Sequence, residues 1–139
     1  MNGSYRHSVD AKGRLFMPAK LRETMGEVYY ITRGLDNCIA VYSSDKWAEL
    51  TNKISELPLS KARNMQRMFF GSAQQCEPDA QGRISLPQVL RDYAFIEKEA
   101  VVAGVSDRVE IWNASRWDEL ESSSMTAENL AAAMDELGF

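Results

Sequence analysis

Asp10-Ala11-Lys12-Gly13-Arg14-Leu15-Phe16-Met17-Pro18-Ala19-Lys20-Leu21-Arg22 returns later in the chain as Asp79-Ala80-Gln81-Gly82-Arg83-Ile84-Ser85-Leu86-Pro87-Gln88-Val89-Leu90-Arg91. Asp, Ala, Gly, Arg, Pro, Leu and the closing Arg are identical in the two stretches, and most of the remaining apolar positions stay apolar. Working outward, Gly34-Leu35-Asp36-Asn37-Cys38-Ile39-Ala40-Val41-Tyr42 aligns with Gly104-Val105-Ser106-Asp107-Arg108-Val109-Glu110-Ile111-Trp112 after one inserted residue, and Trp47 and Leu50 then align with Trp117 and Leu120. Agreement in this order marks a tandem repeat, with one copy over residues 1–70 and a second over residues 71–139.

Each copy reads the same way. Residues 5–9 alternate loosely, as a strand does, and residues 74–77 are a weaker counterpart. Asp at the first and Gly at the fourth position of Asp10-Ala11-Lys12-Gly13 favour a type I turn. Gly13, like Gly82, can take a positive φ on the way into the next strand. Residues 14–17 and 83–86 form short strands, and Pro18 and Pro87 stand where a proline opens a helix at its first position. Leu21, Met25 and Leu90 face inward from these helices.

Two β-rich runs follow in each copy, residues 28–32 and 39–42, then 100–103 and 108–112. Ser43 or Ser44 caps the next helix, whose apolar stripe is Trp47, Leu50, Ile54 and Leu57 and which Pro58 stops. A helix over residues 60–70 comes after it. Asn113 or Ser115 starts the counterpart of the capped helix, and a last helix over residues 126–137 carries Leu130, Met134 and Leu137 on one face.

The chain has 139 residues, the size of one ordinary domain. A half alone holds a few short strands, exposes sheet edges and buries little surface. The two copies are therefore expected to pack as an intramolecular pseudo-dimer, mainly β with short helices, around one shared core. Hydrophobic residues at 45% and charged residues at 26% fit a soluble globular chain, and no apolar run reaches a membrane span. The first residues lack the apolar core of a signal peptide. Two cysteines without metal-ligand spacing point to a reducing cytoplasm.

The net charge of −4 conceals a polarity. The first 70 residues carry eleven Lys and Arg against seven Asp and Glu, while the remainder carries five against thirteen. An isoelectric point near 5.1 does not favour nucleic acid as a ligand, but a local basic patch outweighs the total.

Groups able to do chemistry are few. His7 is the single histidine, and no zinc site can be drawn around it. Cys38 opens an apolar strand and reads as a buried thiol, and Cys76 has no basic neighbour. No phosphate-binding glycine loop is present, so neither an enzyme, a cofactor nor a small-molecule substrate is expected.

The doubled Asp-x-x-Gly-Arg turn admits two explanations. In one, Asp10 and Asp79 cap the turns, Gly13 and Gly82 supply the backbone geometry, and each Arg pairs with its Asp. In the other, Lys12, Arg14, Gln81 and Arg83 form a nucleic-acid surface at the hairpin tips. Arg offers a rigid fork for guanine O6 and N7, Lys and Arg hold phosphates, and Gln pairs with adenine. Both hold together if the aspartates orient arginines whose outer edges meet DNA.

Gly3-Ser4-Tyr5-Arg6-His7-Ser8-Val9-Asp10-Ala11-Lys12-Gly13-Arg14 resembles the opening of the MraZ proteins, bacterial transcriptional regulators of the division and cell-wall gene cluster. Arg33 to Tyr42 resembles their second signature, and Ala62 to Ala73 the helix before their second copy. Their doubled Asp-x-x-x-Arg pattern falls here on Asp10/Arg14 and Asp79/Arg83. The resemblance implies a swapped-hairpin β-barrel of the AbrB-like class. It also implies a closed homo-oligomeric ring that binds short G-rich direct repeats in double-stranded DNA upstream of its own operon, usually repressing it. The location implied is cytoplasmic and nucleoid-associated.

Lys12, Arg14 and Arg83 are the residues expected at the DNA, with Arg6 and Gln81 secondary. Arg22 and Arg91 recur on the short helices and are expected to pair near Glu23 and Asp92. The departures are Met1-Asn2 where the family often has Phe-Arg, and Gln81 where the first motif has Lys12. The last helix is expected either to contact a ring neighbour or to pack on its own barrel.

Overall fold

Strands of three to seven residues with one apolar face need neighbours, and here they find many of them in the opposite copy. A computed structural model describes residues 1–139. The first copy contains β1 (Ser4–Ser8), β2 (Arg14–Phe16), α1 (Ala19–Met25), β3 (Tyr29–Arg33), β4 (Ile39–Ser43), α2 (Ser44–Ser55) and α3 (Leu59–Phe69). The second contains β5 (Gln74–Cys76), β6 (Arg83–Ser85), α4 (Gln88–Tyr93), β7 (Glu99–Val105), β8 (Arg108–Asn113), α5 (Ala114–Ser123) and α6 (Ala127–Glu136).

Six antiparallel strands form one sheet in the order β1-β7-β8-β4-β3-β5, and β2 and β6 form a separate ribbon. First-copy β1 runs along β7, with Tyr5 opposite Val102, and second-copy β5 runs along β3, with Tyr30 opposite Gln75. The copies also meet at the centre, where Ala40 lies opposite Glu110. In the ribbon Leu15 faces Ile84 directly.

Alternation sends Tyr29, Ile31, Ile39 and Val41 of the first copy, and Ala100, Val102, Val109 and Ile111 of the second, into one core. Leu15 and Ile84 reach that core from the ribbon, and Leu21, Met25 and Leu90 reach it from α1 and α4. The inward positions expected on the two short helices are thus the buried ones.

The closed barrel is not found. β1 and β5 are the two ends of the sheet and do not pair with each other. Each is followed by a tight turn that leads the chain out of the sheet into β2 or β6, and these two strands pair together instead. The ribbon and the short helices cover the face that closure would have enclosed. β5, at three residues, offers too short an edge to continue the ladder.

Caps explain several boundaries. Ser43 accepts a hydrogen bond from the Lys46 backbone N–H at 3.3 Å, Asn113 from Arg116 at 3.0 Å and Thr126 from Asn129 at 3.1 Å. Pro18 and Pro87 immediately precede the first helical residue rather than occupying it, with ψ of 140° and 145°. On the outer face of the sheet, Trp47 of α2 stacks on Tyr30 and on Phe69 of α3, at centroid distances of 5.0 and 5.3 Å. Helix α6 has no such seat. All ten of its residues are exposed, so its apolar face does not pack on the body of its own chain.

Candidate nucleic-acid interface

The two Asp-x-x-Gly-Arg turns have the same internal wiring. In the first, the Gly13 N–H donates to Asp10 O at 2.9 Å, closing the turn. Asp10 Oδ1 accepts from the backbone N–H groups of Lys12 and Arg14 at 3.0 and 2.8 Å, and Oδ2 accepts from Arg14 Nε at 2.7 Å. In the second, Asp79 Oδ1 accepts from Gln81 and Arg83 N–H and Oδ2 from Arg83 Nε, each at 2.9 Å. Backbone donation from Arg14, joined by its guanidinium, holds the Asp10 carboxyl below the ordinary carboxylate range. Backbone donation from Arg83, then from Gln81, does the same for Asp79.

Bound through Nε, each arginine keeps its terminal nitrogens outward, and here the copies differ. Both terminal nitrogens of Arg14 are without a partner in the chain. Arg83 turns one of its own toward Asp10 of the other turn, 3.5 Å from Oδ2. By the antiparallel register the two turns lie at opposite ends of the short β2–β6 ribbon, and both arginines stand on its outer face, where Asp10 meets the guanidinium of each. Lys12 and Gln81 are exposed at the tips, and Lys12 makes no ion pair.

The turns are also braced crosswise. The Met17 N–H donates to Gly82 O at 2.9 Å, and the Leu86 N–H donates to Gly13 O at 2.8 Å. Arg22 donates through Nε to Met17 O and Arg91 to Leu86 O, both at 2.9 Å. The guanidinium groups then lie under the glycine of the opposite turn. A methyl group added at Gly13 would sit 2.8 Å from Arg91 Cζ, and one at Gly82 would sit 2.9 Å from Arg22 Cζ. Both glycines have positive φ, 77° and 82°. Arg22 and Arg91 therefore do not pair with Glu23 and Asp92; each supports the turn of the other copy. In an isolated Pro-x-x-Leu-Arg stretch such an arginine reads only as a helix residue, because the glycine it meets belongs to the distant copy.

Arg6 lies on β1 and is ion-paired with Asp118 of α5. Its guanidinium is engaged by α5 and makes no hydrogen bond to either turn. Phe16, which sequence reasoning did not single out, is 41% exposed on the outer face of the ribbon, opposite Arg83 in register and 5.8 Å from the His7 ring. Its alternation with buried Leu15 was the available signal. Both cysteines are poor nucleophiles here: burial raises the Cys38 thiol strongly and pushes Cys76 up to about 11. No helix is long and apolar enough to cross a membrane.

A duplicated β protein that carries two cross-braced, arginine-bearing turns on one two-stranded ribbon is the class that this fold and site define. The chain belongs to the MraZ family, whose model, described as "MraZ protein, putative antitoxin-like", matches residues 1–68 and again residues 69–137. It is similar to proteins named transcriptional regulator MraZ. The one from Alkaliphilus oremlandii is 48% identical, covering 98% of this chain and 97% of that one. The one from Natranaerobius thermophilus is 50% identical, covering 93% and 92%. The one from Alkaliphilus metalliredigens is 45% identical, covering 98% and 97%.

Proposed function

We propose that this chain is a sequence-specific DNA-binding transcriptional regulator that reads double-stranded DNA with the two turns on the β2–β6 ribbon. The observation that carries this reading is the pairing of the turns: two arginines, each oriented by an aspartate through Nε, stand on the same outer face of the ribbon, Arg14 with both terminal nitrogens free and Arg83 with one. A fixed guanidinium edge matches guanine O6 and N7. Arg14 makes the base contact, Arg83 a second and partly shared one, Lys12 a phosphate contact, and Gln81 a weaker contact on the second tip. Arg6, held by Asp118, reaches a flanking phosphate at most.

In this reading residues 1–70 and 71–139 act as one compact unit of the swapped-hairpin class, supported by the exchange of β1 and β5 between the copies. Several protomers form a ring on short G-rich direct repeats upstream of the division and cell-wall cluster, and repress it together with their own gene. The site of action is the nucleoid in the cytoplasm, and catalysis has no part in it. One protomer offers few cations, so single-site binding is weak and salt-sensitive, and a ring on regularly spaced repeats gains from effective concentration.

The test is Arg14→Ala against Lys12→Ala in equilibrium binding to the upstream duplex. Arg14→Ala weakens binding by about 1–3 kcal/mol and relaxes base preference, whereas Lys12→Ala weakens all sequences alike and lowers the salt slope by about one. Unchanged affinity in a folded Arg14→Ala protein overturns the assignment. The exposed apolar face of α6 favours a second reading, a ring-forming assembly protein without base preference.

A further inference from the structure

The two strands of the ribbon differ at one outward position. Alternation puts Arg14 and Phe16 of β2, and Arg83 and Ser85 of β6, on the outer face, while Leu15 and Ile84 between them turn into the core. The antiparallel register sets Arg14 across from Ser85 and Phe16 across from Arg83. Phe16 and Ser85 hold the same place in the two copies, so the first copy carries an exposed phenyl ring where the second carries a hydroxyl.

A lone apolar side chain on a protein surface is ordinary. This one shares a three-residue strand with one aimed arginine and lies directly across from the other. His7 of β1 stands beside it, half-buried, with ring centroids 5.8 Å apart and planes tilted by 31°. The phenyl group therefore rests against an aromatic neighbour on one side and remains open on the other.

The groove that a ribbon fits selects what covers the open side. A two-stranded β-ribbon enters the major groove of B-DNA, where the apolar group that base edges present is the C5-methyl of thymine. Two residues along a strand span about 7 Å and bases on one DNA strand follow every ~3.4 Å, so Phe16 falls within about two steps of a guanine held by Arg14.

We propose that Phe16 is a specificity-determining residue that packs on the C5-methyl of a thymine near the guanine read by Arg14, and that Ser85 leaves the second copy without this apolar subsite. The inference rests on the DNA reading above and adds to it one base that no charged group recognises.

Equilibrium binding of the full chain to the upstream duplex tests it, with each thymine replaced in turn by deoxyuridine. That change removes the methyl group and keeps the base pair and the phosphates. The native chain is expected to lose affinity about fourfold at one thymine within two steps of a guanine, which is what burial of one methyl group contributes. Phe16→Ser places the second copy's side chain at an exposed position, so the core is untouched. This variant is expected to bind the unmodified duplex about fourfold more weakly and to be indifferent to deoxyuridine at that thymine, with its guanine preference kept. Phe16→Leu, still apolar, retains the sensitivity. A native chain that prefers the upstream duplex yet tolerates deoxyuridine at every thymine overturns the role of Phe16 and leaves the arginine contacts standing. The same holds if Phe16→Ser keeps the full penalty at the same thymine. Absence of any preference for the upstream duplex over a scrambled one would instead overturn the reading on which the proposal rests, and the proposal with it.

Discussion

Asp10 uses one carboxylate oxygen to hold the backbone of its turn and the other to aim Arg14, and Asp79 does the same for Arg83. Both aspartates have their acidity raised by these donors, so the folded-state pKa lies below the unfolded value of about 3.9. A lowered carboxylate pKa contributes stability above the unfolded value, and that contribution is lost as pH falls through the folded one. The arginine geometry should therefore be constant from pH 8 to about 5 and fail only below about 4. Nε resonances of Arg14 and Arg83 followed by NMR should not move over the upper range; a transition centred near pH 6 would contradict the wiring described here.

At the scale of elements, the ribbon matters to the core and α6 does not. Leu15 and Ile84 are 1% exposed and face one another across β2–β6, so Ile84→Ala should cost about 2–5 kcal/mol in denaturant unfolding. Truncation before Thr126 should leave the unfolding midpoint of the isolated chain nearly unchanged, because no residue of α6 is buried. Equal losses from the two changes would contradict this division.

The same division governs how much was legible in the sequence. Alternation, proline positions and capping residues are local, and they placed the strands and helices to within a residue or two. The turn chemistry of Asp10 and Gly13 is local as well. The companions of each strand are not: alternation says which side of β1 is apolar but not that β7 lies beside it, nor that the sheet stays open between β1 and β5. The bracing of Gly13 by Arg91, the capture of Arg6 by Asp118 and the approach of Arg83 to Asp10 escaped for the same reason, since each joins residues far apart in the chain.

For the whole molecule, a basic first copy and an acidic second copy give the chain a charge polarity that its net charge conceals. In the proposed reading Lys12, Arg14 and Arg83 supply the local attraction to DNA, which depends on the patch rather than on the total charge. The most direct measurement is fluorescence anisotropy of a duplex from immediately upstream of this protein's gene, against a scrambled duplex, at low and moderate salt. Preference for the native duplex that survives moderate salt is the predicted result. Equal binding to both duplexes, vanishing as salt is raised, would contradict it and leave the basic turns with general attraction alone.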